Sequence, residues 1–85
     1  MIKIKSEILS QRKILRALLK QLRANAHLTQ ADLAKKIKQP QSFVSKYESG
    51  ERRLDILELR SICTVLGISL ADFVKKLEDK LNETV

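Results

Sequence analysis

The sequence predicts an all-α protein, a compact domain of five helices. Apolar residues recur at intervals of three and four along most of the chain, which is the period of an amphipathic helix. At three places, each followed by an apolar run of helical period, a Thr, Asp or Ser has Asp or Glu three residues later, a spacing typical of capped helix starts. The 85 residues include only two Gly and one Pro, so hairpins and long loops are disfavoured.

The first predicted helix begins at Ser6 or Ser10 and ends near Ala26. Its inward stripe consists of Ile8, Ile14, Leu15, Leu18, Leu19 and Leu22. Residues 1–9 are assigned to an N-terminal arm or to an extension of this helix. Because Ile alternates with Lys at the start, a basic arm, an added strand in a dimer and a frayed end all stay open.

The second predicted helix starts at the Thr29 cap, where Asp32 provides a spacing similar to a capping box. It ends at Lys38-Gln39-Pro40, because proline disfavours helix at the preceding residue and suits the start of a new one. The inward residues are Leu33, Ala34 and Ile37.

The third predicted helix covers about Gln41 to Ser49 and ends at Gly50. Val44 and Tyr47 turn inward, whereas the outward side of its start is polar and lacks acidic residues. Two short capped helices around a tight connection form a helix-turn-helix. Such a unit places one helix in the major groove of DNA.

The fourth predicted helix starts at Asp55, with Glu58 at its third position, and ends at Gly67. Its predicted buried residues are Ile56, Leu59, Ile62, Cys63 and Leu66. Cys63 is the only cysteine, so the chain has no intramolecular disulfide and no multi-cysteine zinc site. On this apolar face we expect it to be a small buried residue.

The fifth predicted helix starts at Ser69, with Asp72 at its third position. Its apolar residues are Leu70, Phe73, Val74, Leu77 and Leu81. The first three are needed to close the core, and the last two lie further along a heptad-like seam. Leu77 and Leu81 are therefore dimer contact candidates, the alternative being that they cover the first helix of their own chain. The domain is assigned to residues 10–77, and residues 78–85 to the helix end and this candidate contact.

Basic charge is concentrated in the first part of the chain, whose overall net charge is +7. Residues 1–53 contain 13 Lys or Arg and 4 Asp or Glu, whereas residues 54–85 contain 4 and 6. This block favours a polyanionic partner, because association with nucleic acid releases counterions. The alternative is a surface that only promotes solubility. No apolar run reaches the roughly 18 residues of a membrane span, and no signal-peptide core is present, so a cytoplasmic protein is expected.

Six short motifs follow one another along the chain: Leu22-Arg23, Leu28-Thr29-Gln30, Leu33-Ala34, Val44-Ser45, Tyr47-Glu48-x-Gly50 and Leu66-Gly67-Ile68-Ser69. In this order and spacing they resemble the lambda-repressor-like, Xre/Cro-type helix-turn-helix family, over residues from about Leu15 to Leu77. The resemblance implies a five-helix lambda-repressor-like DNA-binding domain with the helix-turn-helix formed by helices 2 and 3. It also implies a bacterial or phage-encoded protein located at the nucleoid.

By this resemblance, base edges are read by Gln41, Ser42, Ser45 and Lys46. Gln pairs with adenine and Lys favours guanine, so the chemistry suits that role. The residues assigned to phosphate contact are Thr29, Gln30, Lys38, Gln39, Phe43, Arg52 and Arg53. Alternatives stay open within this set: Gln30 holds a phosphate or supports the third helix, and Phe43 touches a thymine methyl or packs on the second helix. Arg52 and Arg53 either contact phosphates or have no specific role. Lys35 and Lys36 are further contacts or only the solvated side of a helix.

The resemblance also implies a partly buried salt bridge between Arg23 and Glu48, the alternative being two exposed charges. Two positions depart from the family pattern. Lys38 stands where the turn usually has Gly, and His27 stands where the first helix often ends in Gly. Lys38 therefore implies either a connection without positive φ at this residue or a small strain.

Together these features predict a sequence-specific double-stranded DNA-binding transcriptional regulator, a repressor that binds a palindromic operator as a homodimer. A phage repressor, a restriction–modification controller and an antitoxin all fit, so a partner protein such as a toxin or co-regulator stays open. The alternative is a protein-interaction adaptor or coactivator with the same fold. One His, no Gly-rich phosphate loop and no clustered carboxylates predict neither an enzyme nor a cofactor or metal site.

Overall fold

Five α-helices and no β-strand make up the described part of the chain, which confirms the predicted all-α class. The computed structural model describes the backbone of residues 2–83 and the side chains of residues 7–83. The helices are α1 (Ile2–Asn25), α2 (Gln30–Lys36), α3 (Gln41–Ser49), α4 (Ile56–Val65) and α5 (Leu70–Glu83). None of them is long and apolar enough to cross a membrane.

The hydrophobic core lies where all five helices meet. It buries Leu18, Leu19, Leu33, Ala34, Phe43, Val44, Tyr47, Ile62, Cys63 and Phe73. Within it α2 packs on α3, α1 packs on α3 and α5, and α4 packs on α2 and α5. Burial of one large apolar side chain stabilises a protein by about 1.5–3 kcal/mol. This shared core therefore fixes the orientation of the two central helices.

The first helix is longer than the sequence predicts. It begins at Ile2 rather than at Ser6 or Ser10, so residues 2–9 extend the helix and do not form a strand. At 1.5 Å per residue its 24 residues span about 36 Å, close to the 39 Å length of the molecule. Met1 and the side chains of residues 2–6 lie outside the described residues, so the basic-arm alternative stays a prediction.

Three residues predicted to be buried are exposed instead. Ile8 is 43 % exposed because the first turns of α1 extend past the core. Ile56 is 59 % exposed in the first turn of α4, next to Leu57 at 71 %. Val74 is 41 % exposed, since the adjacent Phe73 takes the inward position on α5. Periodicity therefore identified the helices correctly but misplaced the ends of their buried faces.

The predicted helix starts are present as capping interactions. The Thr29 hydroxyl accepts a hydrogen bond from the Asp32 amide, and the Asp32 carboxylate accepts one from the Thr29 amide, both at 3.0 Å. Asp55 and Glu58 form the same reciprocal pair at the start of α4. The Ser69 hydroxyl accepts from the Asp72 amide at 3.0 Å. These bonds satisfy amides that have no partner within the helix.

Three helices end in a residue with left-handed backbone conformation, followed by an amide that bonds back to the last turn. The residues are His27 (φ 59°), Lys38 (φ 58°) and Gly67 (φ 77°). The amide after each one donates to a carbonyl five residues earlier, as in a Schellman motif. The sequence left open whether Lys38 has a positive φ with a small strain, and the structure has this strained conformation. His27 has the same left-handed conformation.

Candidate nucleic-acid interface

The third helix divides into a buried side and an exposed polar side. Phe43, Val44 and Tyr47 are at most 8 % exposed and fix the helix in the core. The four residues assigned to base reading are all exposed; they are Gln41, Ser42, Ser45 and Lys46. No acidic residue lies in the first turn of this helix. The exposed side can therefore donate and accept hydrogen bonds without repelling phosphate.

A partly buried ion pair holds this helix against the rest of the domain. Arg23 Nε and Nη2 on α1 donate to the two carboxylate oxygens of Glu48 on α3, at 2.7 and 3.0 Å. The Arg23 and Glu48 side chains are only 12 % and 4 % exposed. Arg23 Nη1 also donates to the Leu28 carbonyl at 2.8 Å. The expected salt bridge is thus present, and it connects α1, the loop before α2, and α3.

Gln30 joins this network, and its contact with a phosphate stays a prediction. Its side-chain amide donates to Glu48 Oε1 at 3.0 Å, so Gln30 on α2 supports the third helix. Burial raises the pKa of Glu48, but the hydrogen bonds from Arg23 and Gln30 outweigh burial and hold this pKa below its ordinary value near 4.5. The hydrogen bond with Glu48 also raises the pKa of Arg23. Both groups are therefore charged at neutral pH.

Phe43 does not belong to the phosphate-contact set. Its ring is 8 % exposed and lies edge-on to Tyr47, with 5.9 Å between ring centroids. A buried hydrocarbon ring has no donor for a phosphate oxygen, so the assignment of Phe43 to phosphate contact is wrong. The ring is part of the hydrophobic core instead.

Arg52 has an intramolecular role that the sequence did not reveal. Its Nη1 and Nη2 donate to the two carboxylate oxygens of Glu58 at 3.0 and 2.7 Å, and Nη1 also donates to the Arg53 carbonyl at 2.8 Å. Its guanidinium carbon lies 4.4 Å from the centroid of the Phe43 ring. Arg52 therefore joins α3, the following loop and the start of α4. The residue that could have indicated this role in the sequence is Glu58. As the third residue of α4 it turns its carboxylate back towards the loop that contains Arg52.

The remaining phosphate candidates are exposed and lie before and after α3 in the sequence. Lys38 and Gln39 are exposed in the turn before α3, and Arg53 is exposed in the loop after it. Lys35 and Lys36 are exposed on α2.

Thr29 is exposed at the start of α2, but its hydroxyl oxygen and its amide are both used in the capping box. The Asp32 carboxylate also places a negative charge there, and the hydrogen bond from the Thr29 amide lowers the pKa of Asp32. The start of α2 therefore attracts an anion less than a helix end without a capping carboxylate would.

The dimer contact candidates lie on the part of α5 that also packs on α1. Leu77 is half-buried and packs against the core of its own chain, which is the alternative that the sequence left open. Leu81 is half-buried one turn further along. Of the segment 78–85, residues 84 and 85 lie outside the described residues.

The fold and the exposed polar helix define the class as a helix-turn-helix DNA-binding domain. A helix-turn-helix family profile matches residues 19–73, more than half of the chain. The chain belongs to the XRE family of helix-turn-helix proteins and is a DNA-binding transcription regulator. No curated protein sequence matches it significantly.

Solved structures of three proteins illustrate the similarity. An XRE-family like protein from Pseudomonas syringae pv. tomato is 37 % identical, with a TM-score of 0.87 over 93 % of this chain and 96 % of that one. The restriction–modification controller protein C.Esp1396I is 26 % identical, with a TM-score of 0.78 over 86 % and 95 %. The clp gene regulator ClgR from Corynebacterium glutamicum is 27 % identical, with a TM-score of 0.76 over 87 % and 79 %.

Proposed function

We propose that this protein is a sequence-specific repressor that reads base edges with the exposed side of α3. The observation that carries the proposal has two parts. The exposed side of α3 is polar and lacks acidic residues in its first turn, and contacts with the rest of the domain fix the orientation of the helix. Gln41, Ser42, Ser45 and Lys46 are exposed, while the partly buried Arg23–Glu48 pair holds the same helix in place. A reading helix must be held rigidly, because a small displacement breaks paired hydrogen bonds to a base.

The side chains of this surface match the donor and acceptor pattern of the major groove. Gln41 can bond to N6 and N7 of adenine, and Lys46 can donate to O6 and N7 of guanine. Ser42 and Ser45 can donate or accept. Lys38, Gln39 and Arg53 flank the helix and supply phosphate contacts that set its register on the duplex.

We further infer that two copies bind a palindromic operator through a contact between their α5 helices. Val74 is 41 % exposed and lies seven residues before Leu81, on the same side of α5. Leu77 lies between them. A two-fold axis through this strip would place two α3 helices about one DNA turn apart, roughly 34 Å. Occupation of such a site in a promoter represses transcription by excluding the polymerase.

Selection of bound duplexes from a random pool tests the base-reading proposal. We expect a palindromic consensus with wild-type protein, and loss of preference at one position in each half-site with Gln41→Ala. The matched control is Gln11→Ala, which removes an exposed glutamine from α1 and should leave the consensus unchanged. Folded protein that selects no consensus would exclude sequence-specific reading.

The dimer is tested by sedimentation of the protein on the selected duplex. Val74→Glu should reduce the stoichiometry on a full palindrome from about two copies to one, because it places charges against each other across the axis. Ala71→Glu, also exposed on α5, serves as control. Two copies bound by Val74→Glu with unchanged affinity would exclude the α5 contact.

Repression is tested separately by transcription in vitro. A promoter that carries the consensus should yield fewer transcripts when the protein is added.

A further inference from the structure

A half-enclosed cavity lies between α1 and the end of α3, away from the residues assigned to base reading. Its volume is about 180 Å³. Four arginines line it, Arg12 and Arg16 from α1 and Arg52 and Arg53 from the loop after α3. None of the described residues that line it is acidic. The cavity is therefore strongly electropositive for its size.

Three of these arginines lack a carboxylate partner. Arg52 is held by Glu58, but Arg12, Arg16 and Arg53 form no ion pair with the described residues. Like charges that line one cavity repel each other, and salt screens this repulsion only weakly at separations below roughly 8 Å. An oxyanion in the cavity would relieve their repulsion and could accept paired hydrogen bonds from guanidinium groups.

One arginine of the cavity lies close to the backbone at the end of α3. A Cβ atom on Gly50 would lie 3.0 Å from Cζ and 3.2 Å from Nε of Arg16, so this guanidinium lies close against the backbone that ends α3. Gly50 has a φ of 91° and no side chain, which permits the approach. The Arg16 guanidinium is thereby placed beside the cavity that it lines.

Besides the arginines, the cavity is lined by apolar side chains and by a tyrosine. Leu15, Leu19 and Leu54 line it, as does Tyr47, which is 1 % exposed. The Tyr47 hydroxyl is buried and has no hydrogen-bond partner among the described residues. Tyr47 therefore contributes ring surface to the cavity, and its hydroxyl is closed off from solvent.

We propose that this cavity binds a small organic anion, a phosphate or carboxylate group joined to an apolar body. The arginines hold the charged group, and the leucines contact the body. The cavity is smaller than the roughly 300 Å³ at which sites for drug-sized ligands begin, so the ligand is a small one. Because Arg53 is also a proposed phosphate contact, the ligand and DNA compete for it. This competition rests on the proposed function, whereas binding of the ligand does not.

The test is an NMR titration of the ¹⁵N-labelled protein with phenyl phosphate, in the absence of DNA. We expect saturable shifts of the Gly50 and Tyr47 amides. Inorganic phosphate should bind more weakly, since it lacks the apolar body, and phenol should not bind. Arg12→Gln should weaken phenyl phosphate binding about tenfold through loss of a charged hydrogen bond. Lys13→Gln removes one charge from an exposed neighbouring site on α1 and should leave the affinity within about twofold.

Two outcomes would overturn the proposal while both variants keep folded spectra. The first is a titration that does not saturate or that Lys13→Gln weakens as much as Arg12→Gln, which indicates diffuse attraction. The second is wild-type protein that ignores phenyl phosphate, combined with Arg12→Gln protein that binds duplex DNA with a reduced salt dependence. In that case the arginines contact the DNA backbone. Failure of DNA binding alone would leave the ligand result intact.

Discussion

Glu48 connects three segments through one carboxylate, so its partners should be sensitive to substitution. Arg23→Met should destabilise the fold by about 3–5 kcal/mol, because it leaves a buried charge without its ion pair. Urea unfolding at neutral pH measures the change. Arg60→Met removes an exposed arginine and should cost less than about 0.5 kcal/mol. Equal midpoints for Arg23→Met and wild type would exclude a stabilising role for the pair.

The same carboxylate predicts how stability depends on pH. In the folded state the pKa of Glu48 lies below its ordinary value near 4.5, so the unfolded chain binds this proton more readily. The stabilisation is therefore complete above about pH 4.5 and is lost as the pH falls through the lowered pKa. Glu48→Gln should flatten the loss of unfolding free energy in acid. The exposed control Glu51→Gln should keep the slope of the wild type.

Tyr47 is a case in which removal of a polar atom should do no harm. Its hydroxyl is buried without a partner among the described residues, and burial raises the pKa of this group. Tyr47→Phe removes an unsatisfied donor and should leave the protein as stable or more stable by about 1 kcal/mol. A thermal melt measures this. A loss of more than about 1 kcal/mol would mean that the hydroxyl has a partner in solution, such as an ordered water.

Among the elements, the turn before the third helix contains strain that a single substitution can remove. Lys38 has a φ of 58°, a conformation that costs a non-glycine residue about 1 kcal/mol or more. Lys38→Gly should therefore raise the unfolding free energy by about 0.5–1 kcal/mol. Lys35→Gly should change the unfolding free energy in the opposite direction. It puts glycine inside α2 and should lower that free energy by about 1 kcal/mol. If both variants lose stability equally, Lys38 is not strained.

Local signals predicted most of the elements, because caps and helix ends depend on residues close in sequence. Thr29 with Asp32 and Asp55 with Glu58 identified two helix starts at the correct residue. The signals failed where a distant partner decides. The exposure of Ile56 depends on where the neighbouring helices end, and the pairing of Arg52 with Glu58 depends on the shape of a loop. Neither is encoded in periodicity.

At the scale of the whole molecule, the uneven charge should appear in the salt dependence of DNA binding. With duplex DNA, the logarithm of the binding constant should fall linearly with the logarithm of salt concentration. Arg53→Gln should reduce that slope by about 0.9, since it removes one proposed phosphate contact. Lys75→Gln on α5 removes the same charge away from α3 and should leave the slope unchanged. Equal slopes for all three proteins would exclude a contact by Arg53.

The exposed side of α3 also bears on how such a protein can change its target. The four residues on this side take no part in the buried core, and the orientation of the helix depends on others. Substitution at Gln41, Ser42, Ser45 or Lys46 should therefore change the unfolding free energy by less than about 0.5 kcal/mol each. The proposed base-reading residues and the core residues thus lie on opposite sides of a nine-residue helix. A library randomised at these four codons should consist almost wholly of folded proteins, which makes the domain a ready scaffold for new operator specificities.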